Sequence, residues 1–133
     1  MSALILDTDI ASLSIKDRLP PRMRTRVAAS LISVTFVTVG ELTRWARLHE
    51  WGPRPRAELT AWLRGAVRLG YDDEIARAWG ELSAASTRRG RTSPANDTWI
   101  AACCLVEGLP LATRNVKDFA PFVEHHGLVL VTE

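Results

Sequence analysis

Four acidic positions in this sequence stand where chemistry is possible. Asp7 ends the apolar run Ala3-Leu4-Ile5-Leu6, and Glu41 lies one turn into the helix expected after a second apolar run. Asp97 lies one turn into a helix opening at Ser93-Pro94, and Asp118 follows the strand-like Pro110-Leu111-Ala112-Thr113, with Asn115 between them. A run such as Ala3–Leu6 suits a strand buried on both faces of a parallel sheet, and it delivers the next side chain to the carboxyl edge, where ligands bind. Each acid also fits a structural role. Asp7 or Asp9 can cap a helix, Thr38-Val39-Gly40-Glu41 reads as a capping box, and Asp97 suits the positive end of a helix dipole. Acids gathered at one edge repel one another unless a cation or a shared proton neutralises them. Carboxylates, an amide oxygen and waters form a hard oxygen site for Mg²⁺ or Mn²⁺; His and Cys are too few for a zinc cage.

Positioning these residues takes strands that alternate with helices. The pattern predicts strands at 3–6, 32–37, 110–113 and 128–131, with a short edge strand at 68–71. Helical spacing covers 10–15, a basic stretch at 22–31 after Pro20-Pro21, then 39–48 and 57–67, with a Gly- and Pro-rich loop at 51–55 between the last two. Further helices are expected at 72–87 and 93–107, the second closed by Gly108, with a single turn or short helix at 116–122. This order gives an α/β fold: a three-layer α/β/α sandwich with a mainly parallel sheet of four to five strands.

At 133 residues and 47% apolar, the chain suits one domain spanning residues 1–133 with a real core. A net charge of +2 does not announce a nucleic-acid binder, so any basic patch must be local. Cys103 and Cys104 are adjacent in an apolar stretch and read as small buried hydrophobes, which fits a reducing cytoplasm. The three histidines read as surface residues. No run is long and apolar enough to span a membrane, and residues 1–15 lack a secretory signal pattern.

The ordered set of Asp7-Thr8-Asp9, Val39-Gly40-Glu41-Leu42, Asn96-Asp97-Thr98-Trp99-Ile100-Ala101-Ala102 and Leu111-Ala112-Thr113-Arg114-Asn115-Val116-Lys117-Asp118-Phe119 resembles the PIN domain. More narrowly, it is similar to the VapC ribonuclease toxins of type II toxin–antitoxin pairs. The resemblance implies that Asp7, Glu41 and Asp97 hold Mg²⁺ or Mn²⁺. Asn115 stands where that family often has a fourth acid, with Asp118 as the accessory acid and Thr8, Thr113, Asn115 and Arg114 as supporting or substrate contacts. It further implies an endoribonuclease that cuts structured RNA such as tRNA or rRNA by metal-activated water, leaving a 5′-phosphate and a 3′-hydroxyl. Either Asp97 or Asp118 suits the proton acceptor. The implied partners are a VapB-like antitoxin, with Trp45 and Trp62 beside its groove, and a second copy of the chain, in a homodimer, a heterotetramer or a larger complex.

Arg88, Arg89, Arg91, Arg114 and Lys117 are candidates for phosphate contact, and Arg18, Arg22, Arg24 and Arg26 read as a solvated face. Two alternatives remain. Asp7-Thr8-Asp9 matches the acid pair of haloacid-dehalogenase-like phosphatases, although that leaves Glu41 without a task. A non-catalytic PIN-like module binding RNA or a partner would suit the missing fourth acid.

Overall fold

The structure, a computed structural model, describes residues 1–132; Glu133, the last residue of the expected domain, lies outside the described residues. Five parallel strands form the sheet: β1 (Ala3–Leu6), β2 (Leu31–Thr35), β3 (Val67–Leu69), β4 (Leu111–Ala112) and β5 (Leu130–Val131), in the order β3-β2-β1-β4-β5. The first two crossovers carry α1 (Thr8–Ile15) with α2 (Pro21–Ala28), then α3 (Phe36–Leu48) with α4 (Pro53–Gly65). The remaining two carry α5 (Asp73–Arg88) with α6 (Ala95–Glu107), then α7 (Val116–His126).

Alternation along β1 divides the core. Leu4 and Leu6 pack with Ile10, Met23, Leu42 and Leu59 on one face, whereas Ile5 packs with Ile75, Ile100, Leu111, Phe119 and Phe122 on the other. Both faces are thus covered, as a parallel sheet requires, and the expected three-layer sandwich is observed. Connections run from β1 outward through β2 to β3, and only then to β4 and β5 on the opposite side of β1. The carboxyl ends of β1 and β4 therefore flank a point where the winding reverses, which opens a crevice there. The Asp7 amide donates to the Ala112 carbonyl at 2.9 Å, so this edge stays tied past the last residue of β1.

Several boundaries differ from the sequence reading. β2 ends at Thr35, two residues before Val37, because Thr35 Oγ1 accepts the Thr38 amide at 3.4 Å and starts α3 at Phe36. The capping box at Thr38 is therefore not formed, and Glu41 falls in the second turn of α3. Pro53, expected in a loop, opens α4 at a position where its missing N–H costs nothing. Ser93 does not cap α6: Pro94 occupies that position, and Ser93 Oγ faces Ser86 Oγ at 3.3 Å. The single turn or short helix expected at 116–122 is a helix that runs on for eleven residues, closed by Gly127 at φ 78°. Leu31, expected to end the basic helix, instead opens β2 with its amide on the Ser2 carbonyl at 2.9 Å.

Candidate active site

Asp7 leaves β1 directly into α1 and is 7% exposed. Its Oδ1 accepts the Thr8 amide at 2.8 Å and its Oδ2 accepts the Thr113 hydroxyl at 2.7 Å. Capping and site placement, alternatives in the sequence, are here held by the same carboxylate. Thr113 is itself fixed, since its Oγ1 accepts the Asn115 amide at 2.9 Å. The turn after β4 thus orients the acid after β1.

Glu41 reaches the same cleft from α3. Thr8 Oγ1 donates to Glu41 Oε1 at 2.7 Å. A hydroxyl has one proton, so the 3.0 Å contact between Thr8 and Thr38 hydroxyls runs with Thr38 as donor. Sequence reasoning read Thr38 only as a helix cap and missed its place in the site, where it is buried; its spacing of three from Glu41 on one helix was the available signal. Asp97 enters from the first turn of α6 and is half-buried. Asp9 is engaged locally: Oδ1 accepts the Ile10 amide at 2.7 Å and Oδ2 the Arg114 amide at 3.3 Å.

One cleft of about 680 Å³ is lined by Asp7, Thr8, Asp9, Glu41, Asp97, Arg114 and Asn115, and continues over Ser12, Leu13, Lys16, Leu42, Trp45 and Trp51. Asp118 is exposed and does not line it; its Oδ2 accepts the Asn115 amide nitrogen Nδ2 at 2.7 Å. Lys117, Arg88, Arg89 and Arg91 are also absent from its walls, and Arg89 lies 3.4 Å from Ser86 Oγ. Trp62 is half-buried, with Nε1 donating to Ser14 Oγ at 3.3 Å, so it ties α4 to α1.

The electrostatics of the cleft are those of crowded acids. Burial pushes the Asp7 carboxyl up to about 6, with Asp9 and Asp97 adding repulsion against the hydrogen bonds from Thr113 and Thr8. Burial likewise raises Asp97 to about 6, aided by the charges of Asp118 and Glu41. An acid serving only as a solvated dipole partner would carry no such shift. Among the described residues, no cationic side chain lies within ion-pair distance of these acids. The donor set is hard oxygen throughout, and its unpaired charge fits a divalent cation. Among the described residues no three His, Cys, Asp or Glu side chains close into a ready ion cage; the acids line a cleft and do not converge on a point.

Comparison with known proteins accords with this geometry. The PIN domain family matches residues 4–121. Ribonuclease VapC2 of Haemophilus influenzae is 32% identical over 120 residues, covering 90% of this chain and 91% of that protein. The VapBC2 structure from Rickettsia felis, bound to a promoter DNA fragment, superposes with a TM-score of 0.85 at 19% identity, over 98% of both chains. VapBC-5 of Mycobacterium tuberculosis, a member of the VapBC family of toxin–antitoxin systems, gives 0.70 at 28% identity over the full length of both chains. With the motifs, the sheet order and this coverage in agreement, the chain belongs to the PIN domain family, and within it to the VapC group.

Proposed function

We propose that the chain is a divalent-metal-dependent endoribonuclease, the toxin of a toxin–antitoxin pair. The observation that carries the reading is the cleft in which Asp7, Glu41 and Asp97, from three separate elements, stand without cationic partners. The named VapC ribonuclease relative and the VapBC complexes support the nuclease activity and a VapB-like partner. Asp7, Glu41 and Asp97 would hold Mg²⁺ or Mn²⁺. Such an ion supplies Lewis acidity toward a phosphodiester oxygen and lowers the pKa of a bound water.

The protein's own contribution is positioning. Thr113 and the Thr8 amide fix both oxygens of Asp7, and Thr8 fixes Glu41, so neither carboxylate has to be ordered when substrate arrives. Asp97, raised toward neutrality by burial and by the charges of its neighbours, is our choice for the group that takes the water's proton at a carboxylate oxygen. Asp118 is assigned a positioning role through Asn115, whose amide faces the cleft without adding charge. Arg114, which lines the cleft, is our choice for meeting a substrate phosphate. Unpaired loops of tRNA or rRNA are the substrate class proposed, because only unpaired nucleotides can be splayed out of a helix to reach acids set inside a cleft.

The phosphatase alternative gives no task to Glu41, which lines the same cleft as Asp7 and Asp9. Pulse expression followed by sequencing of RNA 5′ ends tests the proposal, with Asp7→Asn as control. New ends confined to the wild type are expected. No new ends relative to that control, with growth arrest surviving the substitution, would favour the non-catalytic binding module.

A further inference from the structure

We propose that Trp45 is the platform on which an unpaired base of the RNA stacks, next to the nucleotide whose phosphodiester is cut, with Lys16 meeting the stacked nucleotide's own phosphate; this rests on the nuclease reading above. Glu41 and Trp45 are four residues apart on α3, so carboxylate and indole share a helix face about 6 Å apart along the axis. Both line the one cleft that also holds Asp7 and Asp97. The other four tryptophans are engaged in packing: Trp79 stacks on Trp99 at 5.1 Å, Trp62 is bonded to Ser14, and Trp51, which also lines the cleft, is half-buried against the core that holds Leu42 and Ala46. Trp45 remains 48% exposed, a large apolar surface left in water beside a polar site.

Its surroundings favour a nucleotide. His49 lies against the indole at 5.2 Å and 35°, with Nδ1 3.0 Å from the Trp45 carbonyl, so the ring is braced from its own helix. Lys16 Nζ sits 6.0 Å from the ring centroid, at the end of a flexible stem that is free to swing aside. A base carries a π-face and an adjoining phosphate, which matches an indole with an ammonium next to it. Lys16 and Arg114 are the two cations of the cleft, and they offset for a polyanion the repulsion of its acidic wall. Stacking of this kind tolerates any base, so Trp45 would demand an unpaired nucleotide without dictating its identity.

The test uses a single-stranded oligoribonucleotide spanning the cut site mapped by 5′-end sequencing, with binding read by fluorescence anisotropy in Ca²⁺ and cleavage read in Mg²⁺. Trp45→Ala should weaken binding roughly 10-fold or more, and Trp45→Phe should restore most of it. Lys16→Ala should lower the slope of log affinity against log salt by about 0.7. Leu48→Ala, an exposed apolar change on the same helix outside the cleft, should do neither. Replacing bases one at a time by abasic positions should cost the wild type affinity at one position where Trp45→Ala is indifferent. If the wild type cleaves and Trp45→Ala binds and cleaves equally well, the platform is refuted while the nuclease stands. If Trp45→Ala spares RNA binding but loses the antitoxin, Trp45 holds a peptide and the inference fails. If the wild type neither binds nor cuts, both readings fail together.

Discussion

At Asp7, function and stability pull in opposite directions. Its carboxyl sits at about 6 in the folded chain against 3.8 for the unperturbed group, so between those values the folded state binds the extra proton. Stability of the metal-free protein therefore falls as pH rises from about 4 to about 6, and the penalty is complete above that window. Asp7→Asn removes the buried charge but keeps only one side-chain oxygen to accept from Thr8 and Thr113. Denaturant unfolding at a pH of about 7.5 should show the variant more stable by about 1–3 kcal/mol, with cleavage lost. A variant no more stable than wild type would mean that Asp7 carries no strain. Thr113→Val tests the opposing hydrogen bond: Asp7 loses a donor that favours its charged form, and the Asn115 amide loses its acceptor. The acidic limb of the cleavage profile should move to higher pH, and stability should drop by about 1–3 kcal/mol. An unmoved limb would separate Thr113 from the chemistry.

The element that matters most is α3, because it delivers both Glu41 and Trp45. Its start shows what was legible and what was not. Phe36 and Val37 are β-formers, and local propensity extends β2 through them; the Thr35 hydroxyl and the burial of Val37 against the second core override it. The same override hid the true register of Glu41, whose capping-box reading depended on Thr38 starting the helix. By contrast β1, the end of α6 at Gly108 and the sheet's parallel character were readable, resting respectively on an uninterrupted apolar run, a left-handed glycine and the alternation of strands with helices. The contacts of Thr8 with Thr38 and Glu41 were not, because they join residues at least 30 apart that only tertiary packing brings together. Thr35→Ala should remove the cap and cost about 1 kcal/mol, with Thr35→Ser nearly neutral. Hydrogen exchange is the discriminating readout: faster exchange confined to the first turn of α3 is expected, and uniform acceleration would point to a cavity in place of a lost cap.

On the scale of the whole molecule, the cleft draws its acids from both sides of the sheet. Glu41 rides on α3, whose Leu42 and Ala46 belong to the core shared with α1 and α4, whereas Asp97 rides on α6, packed with α5 and α7 in the opposite core. A cation held by Asp7, Glu41 and Asp97 would therefore join the two layers at the edge where the sheet's winding reverses. It would also offset the burial, and the added repulsion, that now raise Asp7 and Asp97. Because such an ion binds the folded state and not the unfolded one, Mg²⁺ or Mn²⁺ should raise the melting temperature progressively with the logarithm of its concentration above Kd. The gain is about 2.7 kcal/mol at a hundred times Kd. Protons compete for the same oxygens, so the gain should shrink as pH falls through about 6, and EDTA should reverse it. Asp97→Asn should weaken the metal response while leaving the layers packed, since Ile100, Ala101 and Cys104 hold α6 in place without it. A melting temperature indifferent to either cation at a pH of about 7.5, in a protein that still cuts RNA, would show that cleavage here does not depend on a metal held by these acids.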